Sequence, residues 1–270
     1  MPDLRIDPLN GLRVAIGADG PTGPEAPGEA VTVADDPLAG GRGQPEMFSA
    51  RPSSGTVETI ESVPGTAGSL LELGADGLAA TMAVWRERMR AHADAPFRHL
   101  VVDGGSRADL HVLPFVPAAI ARERERFTAY HERTQGRNLL EDLLTEEVRL
   151  NERVVVVDRE AIAICPFASA VPFQLQLIPR KPAARFEDDG PLGATALHGA
   201  LERLAALRGT LPQLSLWVRT APSGAESFCW RIDVLPRLAQ PGGLELGTGF
   251  WRNDVSPEQA AKSLREACVA

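Results

Sequence analysis

The sequence predicts an α+β protein built from two copies of one unit. Three observations carry this reading. Short runs that alternate or are wholly apolar, as strands require, are interleaved with longer segments of helical spacing. The order strand, helix, strand, glycine-containing loop, strand occurs twice, ending on Leu113-Pro114 and then on Leu235-Pro236. With 44% hydrophobic and 24% charged residues, the 270-residue chain has the composition of a folded protein. Antiparallel sheets from two such units can join into one.

The elements follow in order. Leu4-Arg5-Ile6 and Leu12 to Ile16 form a hairpin across Pro8-Leu9-Asn10-Gly11. Residues 17–50 carry repeated turn formers and read either as an irregular arm or as partly disordered. A strand from Thr56 ends before Pro64. Asp76 is placed to cap a helix with Leu78, Met82, Trp85 and Met89 on one face and WRERMR polar on the other. Leu100-Val101-Val102 is a buried strand, turned by Gly104-Gly105-Ser106 and returned by Leu110 to Leu113. A helix with Ile120, Phe127 and Tyr130 follows Pro117.

The second copy has strands at Val154–Val157, Ala161–Ile164 and Phe173–Ile178, then a helix with Leu197, Leu201, Leu204 and Leu207. Strands Leu214–Val218 and Cys229–Leu235 flank the loop Thr220-Ala221-Pro222-Ser223-Gly224. Ser256-Pro257-Glu258-Gln259 opens the last helix as a capping box with proline at its first position. The expected division is an N-terminal hairpin and arm over 1–50, a first half over 51–136 and a second over 137–270.

Composition excludes several functions. A net charge of −8 disfavours nucleic acid, whose binding needs a basic surface. No apolar run reaches the ~20 residues of a membrane helix, and the N-terminus has no signal pattern, so a cytoplasmic protein is expected. Cys165, Cys229 and Cys268 lie far apart, without a C-x-x-C pair. Phosphate-loop, dinucleotide, nucleophile-elbow and zinc-helix motifs are absent from the sequence. The five histidines are scattered, and His111, on a core strand, reads as structural. Cys229 reads either as a buried core residue or as a nucleophile activated by Arg231. The turn Asp103-Gly104-Gly105-Ser106-Arg107 is either a plain hairpin loop or an anion cradle of backbone N–H groups.

Five segments in the right order resemble the galactose-1-phosphate uridylyltransferase family. They are Leu4-Arg5-Ile6-Asp7-Pro8-Leu9; Leu113-Pro114-Phe115-Val116-Pro117 with Ile120-Ala121-Arg122-Glu123; Cys165-Pro166-Phe167-Ala168-Ser169 with Pro172-Phe173 and Ile178-Pro179-Arg180; Ile232-Asp233-Val234-Leu235-Pro236-Arg237; and Gly243 to Gly249 followed by Val255-Ser256-Pro257-Glu258-Gln259. The resemblance implies the histidine-triad superfamily fold, with two fused α+β repeats, and dimeric relatives that complete one another's sites. The helical segments 78–92 and 117–133, with Trp85 and Phe127, are the expected apolar surface of a homodimer.

The departures bear on chemistry. The family's His-Pro-His-x-Gln strand is matched by Gly105-Ser106-Arg107-Ala108-Asp109, with Arg107 at the uridylylated histidine and Asp109 at the glutamine. The loop before it is shorter. Cys229-Trp230-Arg231 stands at a His-Trp-His, and Arg219 at a further histidine. Asn138 and Glu141 match a cysteine pair of metal-binding members, so neither a metal nor a cofactor is expected. Arginine stays protonated and cannot attack phosphorus, which requires a neutral imidazole. Glu245 matches a glutamate that contacts the hexose.

Three functions remain open: a non-catalytic nucleotide, sugar-phosphate or protein binder; a repurposed enzyme using Arg107, Arg219 and Arg231 as one pocket for a phosphate or carboxylate; and a nucleotidyltransferase with another nucleophile such as Cys229. Replacing bases with fixed cations keeps anion affinity while removing acid–base function. Plain drift toward arginine, with the side chains facing solvent or pairing with acids such as Glu226, explains the same substitutions.

Overall fold

The structure is a computed structural model that describes residues 3–17, 56–61, 67–190, 192–238 and 240–267. In chain order it has β1 (Asp3–Ile6), β2 (Arg13–Ile16), β3 (Thr56–Ile60), α1 (Gly74–Ala91), β4 (Phe97–Asp103), β5 (Ala108–Leu113), α2 (Ala118–Arg133) and α3 (Leu139–Leu150). The rest comprises β6 (Val154–Val157), β7 (Ala161–Ile164), β8 (Leu175–Pro179), α4 (Ala194–Arg208), β9 (Leu214–Arg219), β10 (Arg231–Pro236), α5 (Gly243–Thr248), β11 (Phe250–Asn253) and α6 (Pro257–Glu266).

Eight strands form one antiparallel sheet in the order β3-β5-β4-β9-β10-β8-β7-β6. The expected joining of two sheets occurs between β4 and β9, with Leu100 opposite Val218 and Val102 opposite Leu216. Alternation sends one set of side chains from each strand to a single face. There Leu100, Val102, Leu110, Leu216, Val218, Ile232 and Val234 pack against Leu78, Met82 and Trp85 of α1, Leu197, Leu201 and Leu204 of α4 and Leu264 of α6. A second cluster joins Phe127 of α2 and Leu140 and Leu144 of α3 to Ile162, Ile164, Ile178 and Phe228. The sheet thus carries helices on both faces, and α2 reaches over the β9–β10 end.

The N-terminal hairpin forms as expected, with Leu4 opposite Ala15, and Gly11 turns it at φ 78°. Its β2 also pairs in parallel with β11, giving a separate three-stranded sheet that the sequence did not suggest. The arm expected over 17–50 lies, beyond Gly17, outside the described residues.

Several boundaries differ from expectation. The α1 N-cap is Leu73, with no side-chain cap, and Asp76 sits inside the first turn. Phe173 takes a left-handed φ of 58°, so β8 starts only at Leu175. α3 was unforeseen; Asn138 caps it, its side chain accepting from Leu140 and Glu141 N–H. Ser256 caps α6 as expected, its Oγ accepting from Gln259 N–H at 3.2 Å, with Pro257 in the first turn. Trp85 and Phe127 are 0% and 1% exposed, so neither belongs to a docking surface; each fills the core of its own chain. No helix among the described residues is long and apolar enough to cross a membrane.

Candidate functional site

The arginines singled out in the sequence fall in two places. The register decides this. Arg107 follows the turn at the Asp103 end of β4, whereas Arg219 and Arg231 are direct cross-strand partners at the other end of the sheet. Leu100 opposite Val218 puts His99 beside Arg219, so four residues of strand, about 13 Å, separate Arg219 from the Asp103 turn. The expected single pocket of three guanidinium groups does not form.

The Arg107 end is a cavity of about 370 Å³, lined by Glu61, Ala67, Gly68, Asp103 to Arg107 and Asp109. Gly104 and Gly105 both have left-handed φ, 70° and 66°, which lets the turn fold back. Within the turn, Gly104 N–H donates to Leu214 O at 2.9 Å, and Ser106 Oγ to Ala67 O at 2.6 Å. Arg107 is 66% exposed and lies 3.9 Å from Glu61. Asp109 accepts from Thr59 Oγ1 at 2.7 Å, and Asp103 from Ser215 Oγ at 2.7 Å. Asp103 also accepts from Arg237 Nη2 at 2.6 Å, so Glu61 and Asp109 are the carboxylates left beside Arg107.

The other end is a buried ion cluster. Arg231 is 2% exposed, donates to Glu123 of α2 and to Asp233 Oδ1, and has its charge matched there. Burial alone would depress its pKa, yet Asp233 and Glu123 hold the guanidinium above its ordinary value. Arg219 Nε lies 3.6 Å from Glu123 and 3.9 Å from Asp233. Asp233 also accepts from Gln176 Nε2 at 2.7 Å and Trp217 Nε1 at 3.0 Å. Asp233 thus sits at the centre of the cluster. β10 is an interior strand between β9 and β8, almost wholly buried. Glu226 pairs with Arg185 instead.

Two further residues are corrected. Cys229 lies before β10, not on it, and is 1% exposed; burial pushes its thiol up to about 12, which keeps it protonated and unsuited to attack. The Glu245 side chain is fully buried. It accepts Arg252 Nε and Gly242 N–H, both at 2.9 Å, so its oxygens are engaged within the chain. Asn138 and Glu141 stand at the start of α3, and Asn138 Nδ2 donates to Ser227 O at 3.0 Å. Among the described residues no three His, Cys, Asp or Glu side chains come together as a metal site.

His111 faces His99, their rings 6.4 Å apart, on the half-buried sheet face. Burial, then Arg219 and His111, lowers the His99 pKa to about 4, so that imidazole is neutral near pH 7.

Sequence reasoning missed Glu123 and Asp7. Glu123 sits three residues after Ile120 and four before Phe127, an acid on the apolar stripe of α2, and that spacing is the signal. Asp7 accepts Leu9 N–H at 2.8 Å and is half-buried near Arg231, Glu123 and Asp233. No local pattern marks it.

No protein-family model matches the sequence. Among curated proteins the chain is 27% identical over 172 residues to ADP-glucose phosphorylase of Arabidopsis thaliana, covering 61% of this chain and 47% of that protein. It is 29% identical over 170 residues to a probable galactose-1-phosphate uridylyltransferase of Drosophila melanogaster, covering 56% and 48%. The match thus spans about half the length of these relatives. In fold, it superposes on a GalT-like protein of Arabidopsis thaliana with a TM-score of 0.78 at 20% identity over the whole of both chains. An ADP-glucose phosphorylase of the same plant, solved with bound ADP-glucose, gives 0.72 at 20% identity, again over both whole chains. The chain is similar in sequence to ADP-glucose phosphorylase and galactose-1-phosphate uridylyltransferases, and it has the GalT-like fold. The joined antiparallel sheet flanked by helices is the frame it shares with those solved structures. Within it, the cavity at Arg107 lies where the uridylyltransferase resemblance put the nucleophile strand.

Proposed function

We infer that this chain binds a nucleotide sugar or sugar phosphate without forming a covalent nucleotidyl-histidine intermediate. The observation that carries the reading is Arg107, exposed at the rim of the 370 Å³ cavity at the position matched to the family's nucleophile. A guanidinium holds its proton at any accessible pH; it can attract a phosphate but cannot attack one. The ligand class is supported by the relative that holds ADP-glucose. The reading takes the protein as a cytoplasmic homodimer, divided at residues 50 and 136.

Incubation with ADP-glucose, UDP-glucose and galactose 1-phosphate, followed by thermal melting and intact-mass spectrometry, tests it. One of these ligands raises the melting temperature, and none leaves a nucleotidyl adduct. A stable adduct, or turnover, rejects the non-covalent part; no shift with any of them rejects the binder.

A further inference from the structure

A second, larger concavity of about 1030 Å³ shares no lining residue with the cavity at Arg107. It runs between α2 and the three-stranded sheet, bounded by the hairpin turn Asn10 to Arg13 on one side and by Thr248 to Phe250 on another. Four arginines line it, Arg13, Arg122, Arg126 and Arg219, against Glu123 and Glu125. The Glu123 carboxylate is engaged by Arg231 and Arg219, which leaves Arg13, Arg122 and Arg126 against Glu125 and the groove cationic within a chain of net charge −8.

The arginines are placed by the fold. Arg122 and Arg126 are one turn apart on α2, their Cβ atoms about 6 Å from one another, and Ala119 and Ala129 leave space beside them. Arg126 Nη1 donates to Pro8 O at 3.3 Å, and its guanidinium passes so close to Gly11 that a Cβ there would lie 2.6 Å from Nη2. The side chains of Arg13 and Arg122 have no ion-pair or hydrogen-bond partner among the described residues. Like charges held together without a counter-ion repel, and an anion relieves that.

We propose that this groove is a binding site for a small molecule carrying a diphosphate, with Arg122 and Arg126 gripping adjacent phosphoryl groups and Arg13 and Arg219 closing the sides. Guanidinium forks match phosphoryl oxygens pairwise, and a groove of this volume has room for the rest of such a molecule. The site is additional to the one at Arg107 and does not depend on it.

Calorimetric titration of the full chain with inorganic pyrophosphate and with orthophosphate, at low and moderate salt, tests this. Pyrophosphate is expected to bind more tightly than orthophosphate and more weakly as salt rises. The Arg122→Gln/Arg126→Gln double variant should bind pyrophosphate at least about tenfold more weakly, as should Arg13→Gln, which leaves α2 untouched. Arg149→Gln, an exposed arginine paired with Glu146, should not change it. Melting curves without ligand confirm that each variant folds. No binding by the native protein overturns the proposal, as does binding that survives both groove variants. Loss of binding in Arg107→Gln with the groove variants unaffected moves the anion to the other cavity and overturns the groove alone.

Discussion

Asp7 is half-buried next to the charges of the Arg231 cluster. Burial pushes its carboxyl above the ordinary value, Arg231 opposes that shift, and Glu123 and Asp233 add to it. The folded state therefore holds the Asp7 proton more tightly than the unfolded state does. Its stability contribution is full below the unfolded value of 3.8 and is lost as pH rises through the higher folded value. Asn keeps an oxygen to accept Leu9 N–H and carries no charge. Asp7→Asn should then raise the melting temperature at pH 7, with the gain shrinking as pH falls toward 4. Scanning calorimetry across that range checks it; equal gains at every pH would show that charge is not the cause. Glu123 is the opposite case, since removing it leaves buried Arg231, and Arg219 beside it, to share Asp233.

At the scale of elements, α3 depends on its cap. Asn138 Oδ1 satisfies two N–H groups at the helix start, and Nδ2 donates to Ser227 O and Phe228 O, which tie the loop before β10 to the helix. Asn138→Ala should cost about 1–2 kcal/mol in chemical denaturation, combining a lost cap with unpaired carbonyls. A loss within error would mean that Leu140 and Leu144 hold the helix alone. The hairpin is fastened in a similar way. Arg5 and Arg153 both reach Glu258 of α6, at 2.9 and 2.7 Å, joining β1, the start of β6 and the last helix.

At the scale of the molecule, the two copies share one core. α1 of the first packs on α4 of the second, and both cover the β4–β9 seam. Neither half buries its apolar face without the other. Unfolding in urea should accordingly be one transition, with near-UV signals from buried Trp85 and Trp230 coinciding with far-UV helix loss. Two resolved transitions would show that the halves are separately stable.

Local pattern was enough for most strands and helices. Hydrophobic period is written in neighbouring residues, so Leu78, Met82, Trp85 and Met89, or Leu197, Leu201 and Leu204, announce their buried faces unaided. The repeated order of elements, ending twice in Leu-Pro, was likewise legible, and with it the joined sheet. α3 has its own local signals as well, in the Asn138 cap and the spacing of Leu140 and Leu144. What only the tertiary structure decided is which charges meet. Arg231 finds Glu123 across 108 residues of chain, β11 finds β2, and Arg107 parts from Arg219. Strand register and helix placement set those encounters, and each depends on the packing of the whole core rather than on the residues beside it in sequence.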